Sequence, residues 1–259
     1  MGKVGSYSAY RSIKRLRRYR IFHTHHFVRS QLREHLRHAK PQGHVIDSLH
    51  YLNACQEHDH TKIIINIREP MSRNVSAFFE NLVHSGVDEQ VANRTDIDEI
   101  IEAFLDRYPH YVPERWFRDH LEEPFGIDLM RVATPEQRHY VFDRVEVLII
   151  RAEDGDARQL ELMREFLDAP DLEMVRMNDS TAKSYAELNR RFKLAFVPSP
   201  AMLDRLFSAD FFRAFYTPEE QTSIRAYWAN TSPERERELD NAIQEAIAEM
   251  RWELAVGAE

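Results

Sequence analysis

The sequence predicts an α/β fold with a mainly parallel sheet, because β-branched runs alternate with stretches of helical spacing. Residues 61–67 (TKIIINI) form one such run, which ends at an Arg-Glu-Pro sequence, a pattern typical of a buried parallel strand. Residues 145–150 (VEVLII) form a second buried strand. Each run is followed by a predicted helix, at residues 72–83 and 156–167. In the first helix, Ser72 is the expected N-cap.

The rest of the chain is predicted to be largely helical. Residues 20–28 (RIFHTHHFV) favour a short strand, followed by a helix that includes residues 30–38, and residues 44–56 have helical spacing. The aromatic-rich residues 108–141 are interpreted as an irregular insertion, and loops of that length are often functional. Further helices are expected in the C-terminal third, at residues 185–195, 200–206, 218–228 and 232–254.

Composition excludes several classes of protein. The 259 residues contain one cysteine, Cys55, which excludes a disulfide framework and any multi-cysteine metal site. No run approaches the roughly 20 apolar residues of a membrane span, and the arginine-rich N-terminal region has no apolar signal core. We therefore expect a soluble, cytoplasmic protein with no transmembrane segment.

Charge is distributed unevenly along the chain. The net charge is −8, but residues 1–40 contain 11 Lys and Arg against one acid, Glu34, whereas the remainder is strongly acidic. A basic segment of this kind can bind nucleic acid, an anionic membrane or a small polyanion, or it can be a solvated helix face. Residues 11–40 lack the interleaved aromatics of a single-strand groove, so no nucleic-acid partner is expected.

The first candidate site is the amino-terminal sequence GKVGSYS, at residues 2–8, which leads into a helix-like stretch. Backbone N–H groups at the start of a helix bind anions, and Lys3 adds a mobile positive charge. The sequence lacks the Walker A pattern. A Gly/Ser terminus without function is an equally good interpretation of this segment alone.

A second candidate site begins at the predicted carboxyl end of the strand at residues 61–67, where ligands of open α/β sheets bind. Arg68 leaves that strand, and Ser76 lies two turns into the following helix. The two side chains could hold one phosphate from opposite sides. The alternative is a surface ion pair for Arg68 and a packing role for Ser76.

The third candidate is the His-Thr-His-His segment. Alternation in a strand puts His23 and His25 on one face. Two such histidines can bind zinc, but no third ligand stands at an obvious spacing, so no metal site is predicted. A histidine here would also serve as a general base near neutral pH, or simply as a polar rim residue.

Together the three segments resemble the sulfotransferase superfamily. The closest likeness is to its putative capsular-polysaccharide-synthesis family, which has a GKVGSSS-type loop and an R-x-P-x-x-R-x-x-S helix. Further similar segments are Trp116-Phe117, FGID at 125–128, LIIRAED at 148–154 and FYTPEE at 215–220. The resemblance extends from Gly2 to about Trp228.

The resemblance implies a P-loop-like, three-layer fold that uses 3′-phosphoadenosine 5′-phosphosulfate (PAPS) as sulfuryl donor, without a metal. The acceptor would be a carbohydrate hydroxyl, for example one of a capsular or surface polysaccharide. His25 is the first choice for the catalytic base and His23 the second, and Lys3 would neutralise the leaving oxygen. The residues implied to bind the donor are Lys3, Gly5, Ser6, Tyr7, Ser8, Arg68, Ser76 and, less directly, Lys183.

The resemblance also sets the expected domain organisation. Residues 1–230 are expected to form the sulfotransferase-like domain, with 108–141 on the acceptor side, and residues 231–259 a charged helix. Members of the family have an apolar strand before the loop, whereas this sequence starts at Met1, so we expect the first strand to be missing. Tyr7 stands where relatives have a small hydroxyl residue. An alternative is therefore a catalytically impaired protein that binds a nucleotide or a glycan.

Overall fold

The structure is a computed structural model that describes residues 4–25, 27, 46–51, 54, 60–82, 96–175, 184–230, 235, 237 and 241. Three strands form its sheet: β1 (Thr61–Ile67), β2 (His139–Val141) and β3 (Val145–Arg151). Their order is β1-β3-β2. β1 pairs with β3 in parallel, and β2 pairs with β3 antiparallel. The predicted α/β class is confirmed, and the sheet of the described residues is a small mixed one.

Helices account for most of the remaining described residues. α1 (Ser6–Arg15) precedes β1, and α2 (Pro70–Glu80) follows it. Between α2 and β2 lie α3 (Ile97–Arg107), α4 (Val112–Phe117), a π-helical segment (Arg118–Glu122), α5 (Glu123–Phe125) and α6 (Leu129–Val132). After β3 come a 3₁₀ turn (Ala152–Asp154), α7 (Gly155–Leu167), α8 (Ala186–Ala195), α9 (Pro200–Phe207), α10 (Asp210–Phe215) and α11 (Pro218–Trp228). Residues 46–51 are also helical.

Both β-branched runs are strands, as predicted, and the helix after each is present. The start of α2 differs from the prediction, because Glu69 and not Ser72 is its N-cap. The Glu69 carboxylate accepts hydrogen bonds from the backbone N–H groups of Met71 and Ser72, at 2.8 and 2.6 Å. Pro70 occupies the first helical position, where its fixed φ and missing N–H cost nothing.

Two predictions are wrong within the described residues. Residues 20–25 form no strand, because residues 20–24 line a cavity together with β1 and the segment pairs with none of the described strands. Residues 108–141 are not irregular, since they contain α4, α5, α6 and β2. The predicted helix at 30–38 lies outside the described residues. The charged helix at 231–259 does too, apart from residues 235, 237 and 241.

The alternating side chains of the strands build a core on each face of the sheet. On one face, Ile63, Ile65 and Ile67 of β1 join a large cluster that includes residues of α2, α3 and α8 to α11. On the other face, Leu148 and Ile150 of β3 pack with residues of α1 and α7. This arrangement fixes the start of α1 and the carboxyl ends of β1 and β3 in place. None of the described helices is long and apolar enough to cross a membrane.

Phenylalanine rings form the centre of the larger core. Phe192 of α8 is fully buried, and its ring centroid lies 5.2 Å from that of Phe79, 5.3 Å from that of Phe104 and 4.9 Å from that of Phe196. Contacts at these separations are favourable edge-to-face and stacked pairs. Phe192 therefore joins α2, α3 and α8, and it supports the helix that follows Arg68.

Candidate functional site

The first turn of α1 begins at a glycine that the backbone requires. Gly5 has φ +79°, in the left-handed region that disfavours other residues. No described side chain caps this helix. The Ser8 N–H donates to the Gly5 carbonyl at 3.1 Å, so the N–H groups of Ser6 and Tyr7 are the ones that an anion would meet first. Ser6, Tyr7 and Ser8 form the first turn, as the anion-binding interpretation requires. Lys3 lies outside the described residues.

The histidine segment lies against this first turn. His23 Nε2 is 3.0 Å from the Ser6 hydroxyl oxygen, although the two residues are 17 positions apart. The His23 ring lies 5.6 Å from the ring of Tyr7, 5.3 Å from that of Tyr10 and 4.9 Å from that of His25, centroid to centroid. The fold thus brings a helix start and an imidazole together.

His25 is held by two described contacts. Its ring packs on that of His23, and its backbone carbonyl accepts a hydrogen bond from Trp116 Nε1 at 3.0 Å. That bond attaches the histidine segment to α4. Of the two histidines, His23 is the one with a described contact to the first turn of α1.

A cavity of about 450 Å³ adjoins Ser6 and His23. Its walls come from α1, residues 19–24 and β1, and they include Tyr10, Phe22 and Ile64. Among the described strands, only β3 pairs with β1, so the other edge of β1 faces this cavity. Asn66 also lines the cavity, two residues before Arg68.

Arg68 lies at the carboxyl end of β1 in a second cleft, of about 400 Å³. Ser72 and Tyr227 line the same cleft, and the Arg68 side chain makes no hydrogen bond or ion pair with the residues that the structure describes. Ser76 lies one helical turn beyond Ser72 and is half-buried, but it does not line the cleft. Of the predicted pair, only Arg68 faces the cleft.

Two glutamates form the inner wall of this cleft. The fully buried Glu69 carboxylate accepts a hydrogen bond from Trp228 Nε1 at 3.0 Å, in addition to its cap bonds. Glu153 accepts one from the Glu69 backbone N–H at 2.9 Å and another from the Tyr216 hydroxyl at 3.1 Å. Burial raises the pKa of Tyr216 well above its ordinary value, so this phenol stays protonated and able to donate.

A buried ion-pair network holds the turn after β3 behind the cleft. Arg151 pairs with Asp154 at 3.1 Å and with Glu220 of α11 at 2.7 Å, and Arg138 pairs with the same Asp154 at 2.8 Å. Removing one partner of a buried pair leaves an uncompensated charge and is therefore costly. The pair of Arg151 with Glu220 thus fixes α11 against β3. It therefore sets the position of Tyr227 and Trp228 opposite Arg68.

The buried Glu69 gives stability a predictable pH dependence. Burial raises the pKa of its carboxyl, against hydrogen bonds from Ser72 and Trp228 that favour the charged form. The folded protein therefore binds this proton more tightly than the unfolded chain does. The contribution of this bound proton to the free energy of unfolding falls as pH rises from the ordinary pKa of a glutamate carboxyl, about 4.3, to the raised pKa of Glu69 in the folded protein.

We expect Glu69→Gln to remove this fall, because a neutral amide has no such proton to lose. The measurement is urea unfolding at a series of pH values from about 4 upward. Glu219→Gln, which removes the same charge at an exposed position, is the matched control and should retain the wild-type slope. An identical pH slope in Glu69→Gln and the wild type would contradict the prediction.

The structure thus brings some of the predicted residues together and separates others. Ser6 and Tyr7 of the first turn contact His23, and His23 contacts His25. Arg68 lines a different cleft, and Ser76 lines neither. Lys3 and Lys183 lie outside the described residues. Sequence reasoning missed Tyr10, Asn66, Ser72, Glu153 and Trp228. Of these, Ser72 and Glu153 stood within motifs that had been singled out, at 68–76 and 148–154.

No group of three histidine, cysteine or acidic residues suited to a metal ion occurs among the described residues. The comparisons with known proteins identify no relative. No family model matches the sequence, no curated protein matches it, and no solved structure matches the fold. The functional argument therefore rests on the sequence motifs and on the geometry above.

Proposed function

We propose that this protein is a sulfotransferase that transfers a sulfuryl group from PAPS to a carbohydrate hydroxyl. The observation that carries the proposal is the 3.0 Å contact between Ser6, in the first turn of a glycine-initiated helix, and His23 Nε2. An anion-binding turn and a proton acceptor are the two elements that this reaction needs in one place. The capsular or surface polysaccharide class of acceptor is supported by the motif resemblance alone.

The described residues suit the donor's two anionic ends. The N–H groups at the start of α1, with the hydroxyls of Ser6 and Ser8, would hold the phosphosulfate, and Lys3 would add its charge. Arg68 would hold the 3′-phosphate together with Ser72, which shares its cleft, whereas Ser76 stays a candidate from the motif resemblance. Lys183 stays a candidate from the motif resemblance. Glu153 lines the same cleft as Arg68, and the negative charge of its carboxylate would limit how deeply an anion enters.

The proposed reaction uses His23 as general base. As the acceptor oxygen forms its bond to sulfur, the bond between sulfur and the bridging phosphate oxygen breaks, and adenosine 3′,5′-bisphosphate leaves. The acceptor's proton passes to His23 Nε2, and Lys3 would stabilise the charge that develops on the leaving oxygen. Most of the rate acceleration would come from alignment and charge stabilisation, as in phosphoryl transfer.

We also propose that the sheet belongs to a P-loop-like, three-layer fold. The support is the parallel β1–β3 pair, the helices on both faces of the sheet and the glycine turn that starts α1. One edge of β1 pairs with no described strand and lies beside the cavity, which favours a second candidate function, a nucleotide- or glycan-binding module without transfer activity. A strand edge without a neighbouring strand leaves backbone N–H and C=O groups without partners, and the elements that pack on that strand are then held less firmly.

A transfer assay distinguishes the two functions. The protein is incubated with PAPS labelled in the sulfuryl group and a panel of unsulfated polysaccharides, with heat-denatured protein as control. We expect label to enter at least one polysaccharide and adenosine 3′,5′-bisphosphate to form in equal amount. Donor binding without any transfer or bisphosphate formation would favour the binding module instead, and the absence of both would overturn both candidates.

A further inference from the structure

The hydroxyl of Ser6 contacts Nε2 of His23, which is the atom that would accept the proton if His23 acts as the base. Its oxygen lies 3.0 Å from His23 Nε2, within ordinary hydrogen-bond distance. A serine hydroxyl has one proton to donate and two lone pairs, whereas a neutral imidazole nitrogen either donates or accepts. While Ser6 donates its proton to Nε2, that nitrogen cannot accept a proton from an acceptor hydroxyl.

The imidazole is held in place from several sides. The rings of Tyr7 and Tyr10 pack on it from α1, and His25 packs on it from its own segment. The His23 backbone N–H donates to Asp47 Oδ2 at 3.2 Å. Lys14 donates to the Tyr10 hydroxyl at 2.8 Å and is a further charged group on this side of α1.

Because the ring is held, a change at Ser6 alters the hydrogen bonding of Nε2 without requiring the ring to move. The oxygens of a bound phosphosulfate are acceptors only, so a hydroxyl that binds one must donate its single proton to it. Ser6 cannot then donate the same proton to His23.

We propose that Ser6 is a positioning residue that couples donor binding to the availability of the base. In the empty protein its proton lies on His23 Nε2, and an anion bound at the start of α1 takes over that hydrogen bond. Nε2 then loses the hydrogen bond from Ser6, and its lone pair can accept the acceptor's proton. This inference rests on the proposed function, since it requires an anionic donor at the first turn of α1.

Nitrogen NMR of the imidazole tests the coupling directly. The full chain is labelled with ¹⁵N-histidine, and the His23 resonances are assigned by their loss in His23→Gln. Spectra are recorded with and without saturating adenosine 3′,5′-bisphosphate, whose 5′-phosphate stands in for the phosphosulfate. We expect the Nε2 resonance of the wild type to shift on nucleotide binding, because its hydrogen-bond donor is withdrawn.

Three variants separate this role from a merely structural one. Ser6→Ala should move the Nε2 resonance before nucleotide is added and should abolish the further shift on binding. Ser6→Thr, which keeps a hydroxyl, should restore both. Ser208→Ala, which removes an exposed hydroxyl that lines neither cleft, should keep the nucleotide-dependent shift of His23.

The outcomes also separate failure of the coupling from failure of the proposed function. If calorimetry shows that the wild type binds the nucleotide but His23 does not respond, or responds equally in Ser6→Ala, the coupling alone is overturned. If the wild type does not bind the nucleotide, the proposed function fails and the coupling fails with it. An unchanged Nε2 resonance in nucleotide-free Ser6→Ala would overturn the coupling by itself.

Discussion

Replacing His23 with alanine is expected to lower the rate of the proposed sulfuryl transfer by about 100- to 10,000-fold, the usual contribution of a general base. The imidazole contacts the first turn of α1 through Ser6, at 3.0 Å. Without it, the acceptor hydroxyl has to lose its proton to water. The measurement is kcat with saturating PAPS and acceptor, and donor affinity should change little, because the N–H groups of α1 remain.

His25→Ala is the matched control for this prediction. It removes another imidazole, two residues further along the chain. The contacts described for His25 are the packing of its ring on His23 and the hydrogen bond that its backbone carbonyl accepts from Trp116. We expect it to lower kcat several-fold at most, through a less well held His23 ring. A larger loss of kcat in His25→Ala than in His23→Ala would contradict the order of the two bases that the geometry favours.

The largest expected effect on stability comes from Phe192→Ala. This ring is fully buried and contacts aromatic rings of α2 and α3 and Phe196. Truncating it leaves a cavity among side chains that cannot collapse together, so the free energy of unfolding should fall by about 3–5 kcal/mol. Urea unfolding monitored by circular dichroism measures this loss, which is a large share of the stability of an ordinary domain, about 5–15 kcal/mol.

Phe142→Ala provides the comparison for Phe192→Ala. Phe142 lies between β2 and β3 and is only partly buried, so the same truncation removes less packed area and leaves an opening to water. We expect less than half of the loss seen for Phe192→Ala. Equal losses at the two positions would show that the aromatic cluster around Phe192 is not the centre of the core.

The strands and most helices could be predicted because their signals are local. The β-branched runs of β1 and β3 have the composition of buried strands, and Pro70 marks the start of α2, although Glu69 and not the predicted Ser72 caps it. β2 was missed because three residues carry too little periodicity, and it forms only by pairing with β3. The short helices α4 to α6 were missed because three to six residues span at most two turns and carry little helical periodicity.

The candidate site was only partly predictable, because its contacts join distant residues. The motifs located Ser6, His23 and Arg68, but the choice between His23 and His25 depends on how residues 20–25 pass α1. The inner wall of the Arg68 cleft depends on Trp228 reaching Glu69 across 159 positions. Such long-range contacts leave no trace in local spacing, so sequence reasoning could not find them.

The central claim is that this protein binds the nucleotide of a sulfuryl donor through Arg68 and the first turn of α1. Calorimetric titration with adenosine 3′,5′-bisphosphate tests it most directly, in the wild type, in Arg68→Ala and in Arg158→Ala, which removes an exposed arginine of α7. We expect micromolar binding by the wild type and Arg158→Ala. Charged hydrogen bonds contribute about 1.5–3 kcal/mol, so Arg68→Ala should bind about 10- to 100-fold more weakly. No binding by the wild type, or equal binding by all three proteins, would contradict the account.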